Sequence, residues 1–96
     1  MDDNQAETVE ALRKSGFAVE TGHDDFLVYG YGLLLWVEWK SPRAIAKKTG
    51  EPYPYEITKA ERGRADKFGD CYLIAWEIGQ IYEWFEKRLK QKGGHD

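Results

Sequence analysis

The 96-residue chain contains a single cysteine, Cys71, only three prolines and no long apolar run. One cysteine excludes an intramolecular disulfide and is typical of a protein in a reducing compartment. No segment of the sequence approaches the roughly 20 apolar residues that a membrane-spanning helix needs. The first four residues, MDDN, are acidic, whereas a secretory signal begins with basic residues. We therefore expect a cytoplasmic protein without a membrane partner.

The chain also lacks an excess of positive charge. Its 17 acids against 14 Lys and Arg give a formal net charge of −3, which argues against indiscriminate binding to nucleic acid. The charges are unevenly distributed, because residues 40–48 (KSPRAIAKK) contain four cations and no acid. Lys40, Arg43, Lys47 and Lys48 can meet DNA phosphates if this segment lies beside a functional site, and otherwise form a solvated loop.

Hydrophobic residues make up 42% of the chain and aromatic residues 15%, which is enough apolar area for one folded domain. The spacing of apolar residues and the turn residues between them define seven elements. Helices are predicted over 5–15, 58–68 and 77–91, and strands over 17–20, 26–29, 33–39 and 71–76. The order αβββαβα predicts an α/β (α+β) fold, with a mixed four-stranded sheet flanked by helices. We expect a single domain over residues 1–92 and a disordered tail over 93–96.

Strand 33–39 is apolar on both faces until Glu38, so we expect it to be central in the sheet and covered on both sides. It forms a hairpin with the preceding strand across a Gly-Tyr-Gly turn. A two-residue turn at the first Gly and the Tyr pairs Asp25 with Trp36, with Glu38 diagonal to Asp25. A four-residue turn sets Asp25 directly opposite Glu38. Both place Asp25, Glu38 and Lys40 on one face, whereas a loop of odd length separates the two acids.

Two carboxylates that converge at the end of a buried strand repel each other unless a cation neutralises them. Mg²⁺ binds oxygen ligands, usually takes one or two carboxylates, and keeps water and phosphate in its other positions. Lys40, beside Glu38 on the same face, can stabilise negative charge on a phosphate oxygen or serve an attacking water. This set is typical of metal-assisted phosphodiester hydrolysis. The alternative for so short a pattern is a Glu38–Lys40 ion pair with Asp25 solvated.

The segments DFLV at 25–28 and WVEWK at 36–40 resemble the PD-(D/E)xK nuclease motif. The element order over residues 5–85 is similar to that of compact VRR-NUC and archaeal Holliday-junction-resolvase domains. The resemblance implies a restriction-endonuclease-like core and a DNA endonuclease, dependent on Mg²⁺ or Mn²⁺, that selects branched, flapped or junction DNA. It also implies that Asp25, Glu38 and the backbone carbonyl of Trp39 bind the metal, and that Lys40 serves the attacking water.

The chain departs from the family pattern at three places, which are Asp24, the first helix and Glu61. Asp24 stands where the family often has proline, which is dispensable. Many members carry a glutamate on the first helix that reaches the metal. Glu10 is the favoured counterpart in this sequence, with Glu7 and Gln5 as the other candidates, although an ordinary surface position is the simpler interpretation of each.

Further candidates lie around the motif. Glu61 stands where many relatives have glutamine, and it is either a site residue or the acid of a capping box that begins at Thr58. His23 can contact phosphate or metal, or be a solvated loop residue. Tyr53 and Tyr55 can stack on unpaired bases or simply cover the sheet.

Two other classes of function are compatible with the sequence. One is a non-catalytic nucleic-acid-binding or assembly module that keeps the nuclease fold, and the other is a small interaction protein with an aromatic surface. For the nuclease we expect DNA as the partner, with Arg43, Lys47 and Lys48 on its phosphates, and no organic cofactor. A domain this small has little surface to hold DNA, so we also expect a homodimer.

Overall fold

The computed structural model describes residues 4–93. Within these residues, three helices, four strands and three short 3-10 helices follow one another. The elements are α1 (Gln5–Lys14), β1 (Ala18–Thr21), β2 (Asp25–Gly30), β3 (Leu33–Trp39), 3-10 helices Pro42–Ala44 and Pro54–Glu56, α2 (Lys59–Phe68), 3-10 helix Gly69–Cys71, β4 (Tyr72–Ala75) and α3 (Ile78–Gly93). The expected α+β order is confirmed, and each helix and strand lies within two residues of its predicted bounds. Of the expected tail, Gly93 ends α3 and residues 94–96 lie outside the described residues.

The strands form one sheet in the order β1-β2-β3-β4. The first three are an antiparallel meander, and β4 pairs in parallel with β3 after the chain has crossed over through α2. The predicted mixed four-stranded sheet is therefore confirmed, with β3 in its interior. Over residues 4–93, no helix is both long and apolar enough to cross a membrane.

The hydrophobic core lies between one face of the sheet and helices α1 and α3. Alternate residues of each strand point into it, as the two-residue period of a strand requires. The helices contribute residues at helical spacing. The core members are Val9, Leu12, Phe17, Val19, Phe26, Val28, Leu35, Val37, Trp39, Ala75, Ile81 and Phe85.

The opposite face of the sheet is only partly covered. Helix α2 lies over its β3–β4 end, where Phe68 contacts Trp36 with ring centroids 5.3 Å apart. The ten residues of α2 do not reach the other end, so Leu34 remains 52% exposed and Leu27 41% exposed. The prediction that β3 is covered on both sides is therefore wrong for its first half. The strand pattern shows which residues share a face, but not how far a helix extends over that face.

The hairpin turn consists of Tyr31 and Gly32, which both have positive φ, at 55° and 77°. Positive φ at both central residues is the geometry of a type I′ turn, which matches the twist of the flanking strands. Gly30 is not in the turn but pairs with Leu33. A Cβ on Gly30 would lie 2.6 Å from the Phe17 ring, so this glycine is required by close packing.

This turn sets the register on which the candidate site depends. Asp25 pairs directly with Glu38, which confirms the second of the two even registers. The first register, with Asp25 opposite Trp36, is wrong, because the turn lies one residue further along the chain than that register requires. Side chains of directly opposed residues point to the same face, so the two carboxylates share the face on which α2 lies.

Candidate functional site

Asp25 and Glu38 lie side by side on neighbouring strands, near the point where β3 ends. Asp25 Oδ2 accepts a hydrogen bond of 2.8 Å from the indole Nε1 of Trp36. The peptide N–H of Gly22 donates to the carbonyl oxygen of Asp25 at 2.7 Å, and a Cβ at position 22 would collide with Asp25 Oδ1. The tight loop before β2 therefore leaves room for the Asp25 carboxylate only because residue 22 is glycine.

Glu38 is a buried carboxylate with two protein donors on the same oxygen. Its Oε1 accepts hydrogen bonds from the Tyr72 hydroxyl at 3.0 Å and from Arg64 Nη1 at 3.1 Å. Burial raises the pKa of Glu38, and the nearby carboxylates of Glu61 and Asp25 raise it further. The Tyr72 hydrogen bond and the Lys40 ammonium act in the opposite direction. The charges of the candidate site are thus close enough to influence one another.

Burial and the neighbouring Glu38 also raise the pKa of the Tyr72 hydroxyl. Tyr72 therefore stays protonated and acts as a hydrogen-bond donor to the carboxylate. Its place is set by the parallel pairing of β3 and β4, in which Tyr72 is the partner of Trp36.

Lys40 and Glu61 form the second ion pair of the site. Lys40 Nζ lies 2.9 Å from each of the two Glu61 carboxylate oxygens, and the side chains are only 14% and 9% exposed. Glu61 Oε1 also accepts from the peptide N–H of Thr58 at 3.0 Å, while Thr58 Oγ1 accepts from the N–H of Glu61 at 3.1 Å. The predicted capping box is confirmed, and the same glutamate joins it to Lys40.

A cavity of about 380 Å³ opens beside this ion pair. Its walls include Lys40, Glu61, Asp24 and Arg43. Arg43 is therefore the member of the predicted DNA-binding group that lies next to Lys40. Lys47 is exposed and lines separate cavities further along the loop.

The remaining predicted positions outside α1 are Lys48, Trp39 and His23. Lys48 is exposed, and the side chain of Trp39 is 2% exposed in the core on the opposite face of the sheet, with its backbone directly preceding Lys40. His23 is 93% exposed and pairs through Nδ1 with Asp24 Oδ2 at 2.9 Å. The structure brings neither His23 nor Lys48 to the two carboxylates.

The first-helix candidates do not join the site either. Glu10 lies on α1, against the other face of the sheet, and its carboxylate is 3.3 Å from Lys14 Nζ. Glu7 is exposed. Gln5 is fully buried, and neither of its amide atoms has a hydrogen-bond partner. In the Pro-rich loop, the rings of Tyr53 and Tyr55 stack on each other with centroids 5.3 Å apart.

Sequence reasoning missed Arg64, Tyr72 and the Trp36 indole, which together hold the two carboxylates. A signal for Arg64 was present, because a buried Glu38 requires a counter-charge and Arg64 follows Glu61 by three residues, on the same face of a helix. No comparable signal marks Tyr72, since its position depends on a pairing between strands that are far apart in sequence.

The donor atoms of the site fit a hard divalent cation. Asp25 and Glu38 provide carboxylate oxygens on one face, and Mg²⁺ in proteins commonly uses only one or two carboxylates. A larger cluster is not present, because residues 4–93 contain no group of three or more His, Cys, Asp or Glu side chains arranged around a common metal position. Any ion held here would therefore keep several water or phosphate ligands.

Comparison of the chain with protein-family models, curated proteins and solved structures finds no match.

Proposed function

We propose that this protein is a DNA endonuclease that depends on Mg²⁺ or Mn²⁺ and hydrolyses phosphodiester bonds in branched, flapped or junction DNA. The proposal rests on one observation: Asp25 is directly opposite Glu38, and Lys40 follows two residues later at the end of the same strand. The αβββαβα order around them, like the sequence motif, resembles PD-(D/E)xK nucleases of the compact VRR-NUC and Holliday-junction-resolvase type.

In this proposal Asp25, Glu38 and the backbone carbonyl of Trp39 hold the cation. The bound cation would polarise the phosphate and make a coordinated water more acidic. Lys40 contributes positive charge next to the scissile phosphate and orients the attacking water. Its ion pair with Glu61 fixes the ammonium group in place, so that little rearrangement is needed when the substrate binds.

DNA contacts are assigned to cations around the site. Arg43 lines the cavity beside Lys40, and Lys47 and Lys48 extend the positive segment. The sequence offers no base-reading element, so we expect recognition of the DNA backbone and shape over recognition of base sequence. A homodimer would present two such sites to one branched substrate.

A cleavage assay tests the proposal. Labelled duplex, flap and four-way-junction DNA are incubated with the protein in Mg²⁺, Mn²⁺ or EDTA, beside Lys40→Ala and the control Lys87→Ala. Lys87 is 71% exposed in an ion pair on α3, so its removal leaves the site intact. We expect cleavage that requires metal and falls by about 10²-fold or more in Lys40→Ala, as when one transition-state donor is removed. Cleavage that survives both EDTA and Lys40→Ala would come from a contaminant and would sink the proposal.

One observation favours a second candidate, a non-catalytic nucleic-acid-binding module. Within the described residues, Glu38 already has Arg64 and Tyr72 as partners, and Lys40 has Glu61. Such ion pairs and hydrogen bonds can stabilise the fold without any catalytic role. Wild-type protein that binds junction DNA but does not cleave it in Mg²⁺ or Mn²⁺ would support the non-catalytic binding module.

A further inference from the structure

A groove of about 520 Å³ lies beside α2, where this helix packs on Trp36 of β3. We refer to it as the α2 groove. It is lined by Trp36, Ala60, Gly63, Arg64, Lys67 and Phe68. Its volume is within the range of small-molecule pockets. The lining combines aromatic rings with cations and contains no acidic side chain.

The groove is directly connected to the carboxylate pair. The indole of Trp36 forms its wall and donates to Asp25 at 2.8 Å. Arg64 lies over the Trp36 ring, 5.3 Å from its centroid, and contacts Glu38 Oε1 at 3.1 Å. A strand whose phosphate lies at Asp25 and Glu38 would therefore have its neighbouring nucleotide at this groove.

The charge of the groove complements DNA, although the chain as a whole is negative. Helix α2 (KAERGRADKF) carries four cations and two acids, whereas the whole chain has a net charge of −3. Of these cations, Arg64 and Lys67 line the groove, and Lys67 is exposed. They can bind the phosphates that flank a nucleotide.

The aromatic part of the lining is suited to a base. Phe68 is 46% exposed at the edge of the groove, and its ring meets Trp36 edge-on at 67°, so a ring face is not stacked against Trp36. Aromatic side chains stack on bases of any sequence, and Arg can add to such a stack. Bases inside a duplex already stack on their neighbours, so only an unpaired base can lie flat against Phe68.

We propose that the α2 groove binds one unpaired nucleotide of a DNA strand, next to the carboxylate pair, with its base on Phe68 and its phosphates on Arg64 and Lys67. The proposal rests on the nuclease function proposed above. It gives that function a physical basis for preferring flaps and branches, which contain unpaired nucleotides, over intact duplex.

Gly63 offers a way to fill the groove without touching the carboxylates. A Cβ added to Gly63 meets no atom within 4 Å, and replacing a helix glycine favours the helix. Gly63→Leu should therefore fold and occupy the groove. Gly79 on α3 also has open space around it, so Gly79→Leu is a matched control at a distance from the groove.

The test measures binding in EDTA, where no cleavage occurs. Fluorescence anisotropy gives the Kd of fluorescein-labelled dT10, of an abasic deoxyribose-phosphate strand of the same length, and of a 10-base-pair duplex. We expect wild-type protein and Gly79→Leu to prefer dT10 over the abasic strand. Phe68→Ala and Gly63→Leu should weaken dT10 binding about tenfold, as loss of one base stack does. Lys67→Ala should weaken binding of dT10 and the abasic strand alike.

Several results would overturn the proposal. One is that wild-type protein binds dT10 and the abasic strand equally well. Another is that Phe68→Ala and Gly63→Leu both bind dT10 with a Kd within twofold of the wild-type value. Gly63→Leu that turns a dimer into a monomer in light scattering, with dT10 binding unchanged, would assign the groove to a second copy of the chain. Binding is measured in EDTA and cleavage in Mg²⁺ or Mn²⁺, so the two proposals fail separately. Wild-type protein that prefers dT10 but cuts no DNA would refute the nuclease alone, and wild-type protein that cuts DNA but binds dT10 and the abasic strand equally would refute the groove alone.

Discussion

Glu61 belongs to the capping box of α2 and to the Lys40 ion pair, and two substitutions separate these roles. Glu61→Gln keeps an acceptor for the Thr58 N–H, because glutamine also completes a capping box, but it removes the charge opposite Lys40. Glu61→Ala removes both functions. Loss of a cap destabilises by about 0.5–2 kcal/mol, and loss of a hydrogen bond to a charged group by about 1.5–3 kcal/mol.

We therefore expect Glu61→Ala to lower the free energy of unfolding by about 2–5 kcal/mol, and Glu61→Gln by about 1 kcal/mol. Thr58→Ala removes the other half of the box and should lower it by about 1 kcal/mol. Urea titrations followed by tryptophan fluorescence measure these differences, provided that the m-value is unchanged. Equal losses for Glu61→Gln and Glu61→Ala would refute the reasoning, since the charge alone would then hold the helix.

The activity of the same variants tests the second role of Glu61. If Glu61 positions Lys40, cleavage should fall more in Glu61→Ala than in Glu61→Gln, whose side-chain oxygen can still accept from the ammonium. Thr58→Ala should retain the wild-type rate at a temperature where it is folded. A rate that follows stability across all three variants would indicate that Glu61 acts on the fold only.

Three further predictions follow from the same face of the sheet. The pKa of Glu38 is raised from 4.5, so its contribution to stability is present below pH 4.5 and is lost as the pH rises through the folded-state pKa. The stability of Glu38→Gln relative to wild type, measured by urea titration, should therefore increase with pH. A difference in stability that stays constant with pH would contradict this prediction. Arg64→Gln should tighten Mn²⁺ binding up to about fivefold in calorimetry, because it removes a competing cation from Glu38, and weaker binding would show that Arg64 supports the metal site. Leu35→Ala should destabilise by about 2–5 kcal/mol and its neighbour Leu34→Ala by less than about 1 kcal/mol, and similar losses would place both in the core.

The order of elements could be predicted from sequence because each helix and strand has a clear apolar period, and Thr58 with Glu61 marks the start of α2. The hairpin register could be narrowed to two even alternatives. The sequence could not decide between these two registers, because Gly30 looks like a turn residue. In the structure this glycine is required by close packing against Phe17, which lies in another segment.

The side chains that surround the motif residues were the least predictable part of the site. Arg64 and Tyr72 reach Glu38 from α2 and β4, which lie 26 and 34 residues further along the chain. The exposure of Leu34 depends on the reach of α2 across the sheet. Local patterns describe an element and its faces, whereas these contacts depend on how separate elements pack.

The two-residue turn at Tyr31 and Gly32 makes the candidate site more sensitive to the number of residues between Asp25 and Glu38 than to the identity of those residues. Both central residues have positive φ, so the turn accepts chiefly Asn, Asp and Gly, and such substitutions leave Asp25 opposite Glu38. A single inserted or deleted residue would turn one acid to the far side of the sheet, beneath α1 and α3, with the overall composition almost unchanged. Among natural variants of this chain we therefore expect turn residues that accept positive φ, such as Asn, Asp and Gly, and a constant distance of thirteen positions between the two acids.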